Sequence, residues 1–399
     1  MSSRCGSMDR YFQLAVTLFH DFRWVYDFKA TDILSTAVLQ NIPQSFQTFF
    51  LSLRDNDEQF HEILNCRGEA NILWPVELRS FVASCQEIQG LSEGLKDGYS
   101  NALPSHSTCN KNLNLDNLKL PKKWNLKKYL EVAYVGNFVG HLCSQEQCDA
   151  VVDIGSGLGY LTSHLASHFE LAVVGVESDP SRVTAAETAY RSTLNSCSTG
   201  SQTYCCLQIT ENMSQEIEPC LRNYNKVCIC ALHACGDLTP WSLKHFIGTD
   251  SCKLLAVAPC CYHKMSMNSS SFPMSNSLIS ELGMYDDRSF LINQWLWRLA
   301  SQRAGKNFLN DIRKETENLF YRAILEKFCR AESFGLFRKK RNFTKSNHGS
   351  TFDDYLQTML GPSGGFDVMK DNIKIEGDSL SEVFYQISRL HDEVNNLQS

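Results

Sequence analysis

Apolar residues recur along this chain with changing rhythm. From Asp9 to about Leu91 they fall at helical spacing, as in Phe12, Val16, Phe19 and Phe22 and again in Phe46, Phe49, Phe50 and Leu53. That spacing predicts a run of about four or five helices, with the aromatic stripe as core rather than recognition surface. Residues 92–117, rich in Asn and Ser, lose the rhythm and read as a flexible linker. From about residue 118 to residue 265, short apolar runs alternate with helical stretches. Strands are predicted at 149–154, 171–177, 204–210, 226–233 and 252–259, which makes the fold class α/β with a parallel, doubly wound sheet. Residues 266–399 read as a mostly helical extension ending in one amphipathic helix. The predicted domains are therefore 1–91, 92–117, 118–265 and 266–399.

The sharpest local signal lies at Val151–Thr162, where an apolar run ends at Asp153, meets Gly155, Gly157 and Gly159, and turns helical. Closely spaced glycines after a strand let the backbone turn tightly and approach a bound group. A dinucleotide fingerprint would need its third glycine at position 160, where this chain has Tyr160. The observed Asp-x-Gly-x-Gly-x-Gly resembles motif I of the class I S-adenosylmethionine-dependent methyltransferases. A second apolar run, Leu171–Val176, ends in Glu177, followed by a helix start at Asp179-Pro180-Ser181.

The resemblance implies a Rossmann-like fold with S-adenosylmethionine as cofactor. It puts Asp153 beneath the methionine end and Glu177 on the ribose, with Gly155, Ser156, Gly157, Gly159, Tyr160, Ser178 and Leu232 around them. Glu211 or Asn212 would then lie on the adenine side. Gly157 is expected to approach the ligand too closely for a β-carbon.

Two further loops follow predicted strands: Leu232-His233-Ala234-Cys235-Gly236-Asp237-Leu238 and Pro259-Cys260-Cys261-Tyr262-His263. Together with Phe272-Pro273-Met274-Ser275 and Leu120-Pro121-Lys122-Lys123, they look like the methyltransferase-like protein 25 family, over roughly residues 30–345. The chain departs from that pattern twice. A His-Glu pair expected after the upstream lysines is replaced by Trp124-Asn125, and closure of the sheet edge is expected to be incomplete. An Asn/Asp-Pro-Pro-Tyr/Phe loop of exocyclic-amine methylases is also absent from its usual place, which holds His233–Asp237.

The loops bring His233, Asp237, Cys260, Tyr262 and His263 to the acceptor side as candidate catalytic residues. Either His233 or Asp237 could act as a base; the blander alternative has both holding the loop together, with Asp237 capping the helix that begins at Leu238. A metal held by His233, Cys235, Cys260, Cys261 and His263 is also conceivable. However, there is no C-x-x-C pair, and adjacent Cys260 and Cys261 should point to opposite sides of a continuing strand. Buried reduced thiols are therefore expected and no metal is assigned.

The lysines at 119, 122, 123, 127 and 128 read either as a solvated helix face or as a phosphate-binding edge, with Arg338–Arg341 as a second basic run. Net charge −6 argues against wholesale polyanion binding but not against such a patch. The first residues lack a signal-peptide core and no apolar run reaches the roughly 20 residues of a membrane span. Several of the 17 cysteines lie in predicted strands, which fits a reducing compartment, cytosolic or nuclear. The expected function is methyl transfer, with RNA favoured over protein as acceptor. The alternatives are a catalytically inactive cofactor-sensing or scaffold protein, and, more remotely, a nucleotide-dependent oxidoreductase.

Overall fold

A computed structural model describes residues 2–53, 63, 72–97, 125–193, 200–267, 272–301, 308–338, 351–360 and 365–396. The helices before the sheet are α1 (Ser2–Asp21), α2 (Gln44–Ser52), α3 (Val76–Asp97) and α4 (Leu126–Glu146). Next come β1 (Ala150–Ile154), α5 (Tyr160–Phe169), β2 (Ala172–Glu177), α6 (Pro180–Thr193), β3 (Gln202–Cys206), α7 (Met213–Leu221), β4 (Val227–Ala234), α8 (Leu238–Gly248) and β5 (Cys252–Pro259). The remainder holds α9 (Asn276–Leu282), α10 (Gln294–Ala300), α11 (Phe308–Ala331), β6 (Gly335–Arg338), α12 (Phe352–Leu360), β7 (Phe366–Lys370), β8 (Ile373–Lys374) and α13 (Asp378–Asn396).

The chain divides into two compact units, Met1–Thr17 with Ile88–Ser301, and Leu18–Glu87 with Gln302–Ser399. The first contains a parallel five-stranded sheet in the order β3-β2-β1-β4-β5. Every β1 residue is buried because helices cover both faces, as a parallel sheet requires. Alternate side chains go to opposite layers. Val151, Val173 and Cys228 pack with Val139 and Cys143 of α4 and Leu161 and Leu165 of α5. Val152, Val174 and Ile229 pack with Met213, Ile217 and Leu221 of α7. Reversal of strand order on either side of β1 opens a crevice beyond Ile154 and Glu177, where ligands of such sheets bind.

Four of the five predicted strands match to within a residue or so; β3 does not. Predicted at 204–210, it spans Gln202–Cys206. Beyond Cys206 the chain turns, because the Thr210 amide donates to Glu216 Oε2 at 2.7 Å and the Thr210 hydroxyl bonds to the same carboxylate, fixing the approach to α7.

The second unit corrects the predicted domain boundaries. Its core joins Ile324, Leu325 and Phe328 of α11 with Tyr355 and Leu356 of α12, Val368 of β7 and Ile387 of α13, and Leu34 packs against it. Lys29 pairs with Glu326, and Arg330 with Asp32 at 2.7 Å. The early segment thus belongs with the C-terminal one, since it supplies apolar cover and counter-charges that α11 lacks. Of the aromatic stripe, Phe46 and Leu53 are buried beside Trp74 and Leu78, with Phe22 and Phe49 against them, whereas Phe50 is exposed. The extension also contains an antiparallel sheet, β6-β7-β8, that was not predicted. The linker expectation fails for residues 92–97, where Ile88, Leu91 and Leu95 carry α3 on at helical spacing; residues 98–117 lie outside the described residues. Among the described residues, no helix is long and apolar enough to cross a membrane.

Candidate active site

At the carboxyl end of β1, Asp153 is buried and accepts the Thr162 hydroxyl at 2.8 Å, together with the Thr162 amide. Burial pushes its carboxyl up to about 7 against those two hydrogen bonds. The acid therefore sits at the amino end of α5, where a dinucleotide fold would seat its pyrophosphate.

The glycine loop is closed by its own hydrogen bonds. The amides of Gly155 and Ser156 donate to the Val176 carbonyl at 2.8 and 3.0 Å, and Gly159 donates to the Ser156 carbonyl at 2.9 Å. Gly157 donates to Glu177 Oε2 at 3.0 Å. Amides committed in this way, with a carboxylate beside them, do not suit a phosphate. This is a second physical ground, besides Tyr160, against a dinucleotide.

Glu177 is buried, and its Oε1 accepts the Asp179 amide at 3.0 Å and the Ser178 hydroxyl at 3.3 Å. Gly157 has φ of +59°, the left-handed region, and a β-carbon there would meet nothing nearer than the Gly155 carbonyl at 4.0 Å. Open space thus faces the loop. Ser156 Oγ is buried without a hydrogen-bond partner. An orphaned hydroxyl, an open cradle and an acid with a spare lone pair fit an adenosyl cofactor carrying ribose hydroxyls and no phosphate.

The other predicted cofactor residues divide. Tyr160 opens α5, with the Lys128 ammonium 4.2 Å from its ring centroid. Leu232 packs against the α4/α5 layer. Glu211 and Asn212 are exposed before α7, beyond the end of the shortened β3. Sequence reasoning missed Tyr204 on β3. Its hydroxyl donates to Gln202 Oε1 at 3.1 Å, and its ring fills the space where a β-carbon on Gly159 would come within 2.3 Å of Oη and one on Gly175 within 2.7 Å of the ring. The signal was present: a glycine in the middle of a buried strand marks a close approach by another group.

On the acceptor side, the His233 side chain is 56% exposed, with Nε2 3.7 Å from Glu131 Oε2. Asp237 corrects the capping alternative. It makes no side-chain cap to α8; its Oδ2 accepts the Ser266 amide at 3.0 Å and the Ser266 hydroxyl at 2.6 Å. The acid ties the loop after β4 to the loop after β5. Tyr262 and His263 form a 3-10 turn, with His263 Nδ1 3.5 Å from Ser301 Oγ.

The expectation that Cys260 and Cys261 diverge also fails, because β5 ends at Pro259 and its alternation ends with it. Their sulfurs lie 3.5 Å apart, and Cys260 Sγ is 3.1 Å from Cys235 Sγ. Burial, with the neighbouring thiols, pushes Cys260 up to about 12, whereas hydrogen bonding from Cys260 holds Cys261 below the usual thiol value. Lys127 pairs with Glu131 at 3.3 Å. Lys119, Lys122 and Lys123, like residues 339–341 of the second basic run, lie outside the described residues.

Comparison with known proteins agrees with this geometry. Residues 127–268 match the family model of a methyltransferase domain, which covers α4 through the loop after β5. In sheet order, glycine loop and family match, this segment is similar to a class I methyltransferase domain. In particular, the chain is similar to a protein of Homo sapiens described as probable methyltransferase-like protein 25, 26% identical over 197 residues. That match takes in 46% of this chain and about a third, 31%, of the human protein's length. Among solved structures, the plantazolicin methyltransferase BpumL in complex with SAH is 10% identical, with 58% of this chain and 80% of that one covered, at a TM-score of 0.23. Coclaurine N-methyltransferase bound to N-methylheliamine and SAH is 15% identical, with 57% and 54% covered, at 0.18. Both scores are too low to bear on function.

Proposed function

We propose that this protein is an S-adenosylmethionine-dependent methyltransferase acting on RNA. The observation that carries the reading is the junction of Glu177 with the glycine loop. Oxygens already oriented by Gly157, Ser178 and Asp179 leave a lone pair on Oε2 to accept a ribose hydroxyl. Asp153, once ionised, provides an anion suited to the cationic methionine end. When bound, the cofactor supplies an electrophilic methyl group on a sulfonium.

The chain's own part is alignment and exclusion of water, which supply most of the rate in an in-line displacement. His233, exposed beside Glu131, is placed to accept a proton from an acceptor hydroxyl or amine. Asp237 holds the two acceptor loops in register through Ser266. RNA is favoured over protein because the basic run from Lys119 to Lys128 leads into the domain, and Lys128 lies over Tyr160 at the glycine loop.

The test is methyl transfer from isotopically labelled S-adenosylmethionine to separated RNA and protein from cells lacking the gene. Label should enter RNA and vanish with Glu177→Ala. Label in protein alone would replace the acceptor class. Full rescue of the cells by a variant that cannot bind cofactor would favour a cofactor-sensing or scaffold protein.

A further inference from the structure

The loops after β4 and β5 carry a feature that methyl transfer does not call for. Cys235, Cys260 and Cys261 place three sulfurs within 4.8 Å of one another, the only such His/Cys/Asp/Glu group among the described residues. Two of the separations, 3.1 and 3.5 Å, are far longer than the roughly 2.05 Å of a disulfide. They fall just short of the edge of about 3.8 Å between sulfurs in a tetrahedral zinc site with bonds of about 2.3 Å. Little movement would be needed to admit an ion.

The arrangement is also built by backbone rather than by chance proximity. The Gly236 amide donates to the Cys261 carbonyl at 3.3 Å, and Asp237 grips Ser266, so both loops are fixed on either side of the thiols. Gly236 has φ of +59°, and a β-carbon there would come within 2.7 Å of the Lys264 carbonyl. This close approach is what brings Cys235 to Cys260.

We propose that Cys235, Cys260 and Cys261 bind a zinc ion as three thiolates, clamping the acceptor loops and leaving a fourth position to water. Binding forms three zinc–sulfur bonds and releases three protons to solvent; nothing is oxidised or reduced. Thiolate donors select soft or borderline ions over magnesium or calcium. The site stands whether or not the chain transfers methyl groups, because the metal itself is measured.

The full-length protein, purified under reducing conditions without a metal-affinity tag, should contain about one zinc per chain by elemental mass spectrometry. Zinc should be lost in Cys235→Ser/Cys261→Ser and retained in Cys205→Ser/Cys220→Ser, which removes another close thiol pair, 3.1 Å apart. Should the first variant fail to fold, cobalt exchanged into wild-type protein should give intense thiolate-to-cobalt absorption. Three results would overturn the proposal: no zinc after equilibration with zinc chloride, zinc persisting in a folded variant lacking all three thiols, or a Cys235–Cys260 disulfide at cytosolic glutathione ratios.

Discussion

The amide of Gly157 donates to Glu177 Oε2 at 3.0 Å, so the loop that follows β1 and the acid that ends β2 are one hydrogen-bonded unit. Glu177→Ala should therefore do two things. It removes the acceptor of the Gly157 and Asp179 amides, at a cost of about 1–3 kcal/mol in stability, and it should weaken S-adenosylmethionine binding at least tenfold. Calorimetry and thermal melting separate the two. Unchanged affinity in a destabilised protein would make Glu177 a loop brace and nothing more.

Asp153 gives a pH dependence. Its carboxyl is raised from 3.8 to about 7, so the folded chain holds the proton more tightly than the unfolded one. The stability this contributes is fully present below about pH 4 and is lost as pH rises through about 7. Asp153→Asn should flatten that slope in denaturant titrations followed across the window. Affinity for the cationic cofactor should run the other way, rising as Asp153 ionises in wild type and not in the variant.

Gly159→Ala tests the fit of Tyr204. The new methyl carbon would lie 2.3 Å from the Tyr204 hydroxyl at a φ of +73°, so strain and clash together should cost about 2 kcal/mol or more. Removing the ring in Gly159→Ala/Tyr204→Ala should relieve the clash and leave the backbone strain. A melting temperature equal to wild type in the single variant would show that the loop is looser than described.

These three positions also mark what the sequence made legible. Asp153, the glycines and Glu177 stand close in the chain and obey strand-then-turn rules, so their places at the strand ends could be read from spacing, while the roles expected of them rest on the resemblance to motif I. Tyr204 could not be placed because its partners, Gly159 and Gly175, come from two other segments. Cys235 and Cys260 are 25 positions apart and follow two different strands, so their meeting depends on how the loop turns beyond Pro259, which apolar patterning does not specify. The pairing of the N-terminal segment with α11 was equally hidden, since amphipathic helices do not announce which partner covers them.

Asp237 and His233 should part company. Asp237→Ala leaves the Ser266 amide and hydroxyl without their acceptor, so melting temperature and turnover should fall together. His233 is largely exposed, and His233→Ala should leave the melting temperature within about a degree while lowering kcat about 100-fold if it is the base. Wild-type turnover in the His233 variant would move proton transfer elsewhere.

In the second unit, Glu326 is paired with Lys29 and Arg322, and its side chain is only 12% exposed. Glu326→Ala should cost about 2 kcal/mol, chiefly by stranding Arg322, since Lys29 is partly exposed and keeps Asp32 at 3.4 Å. Urea unfolding measures it, and a loss below about 1 kcal/mol would mean that Leu34 and its apolar neighbours alone hold the early segment to α11.

Under the proposed function, the internally bonded glycine loop has a bearing on how the reaction would be throttled. A cradle whose amides are already engaged with its own chain has no ordering left to do when adenosine arrives, and it grips the nucleoside end whether or not the methyl group is still attached. Spent cofactor would then leave reluctantly. Turnover in the cell would follow the ratio of fresh to demethylated cofactor rather than the abundance of either, with the charge on Asp153 as the chief means of telling them apart.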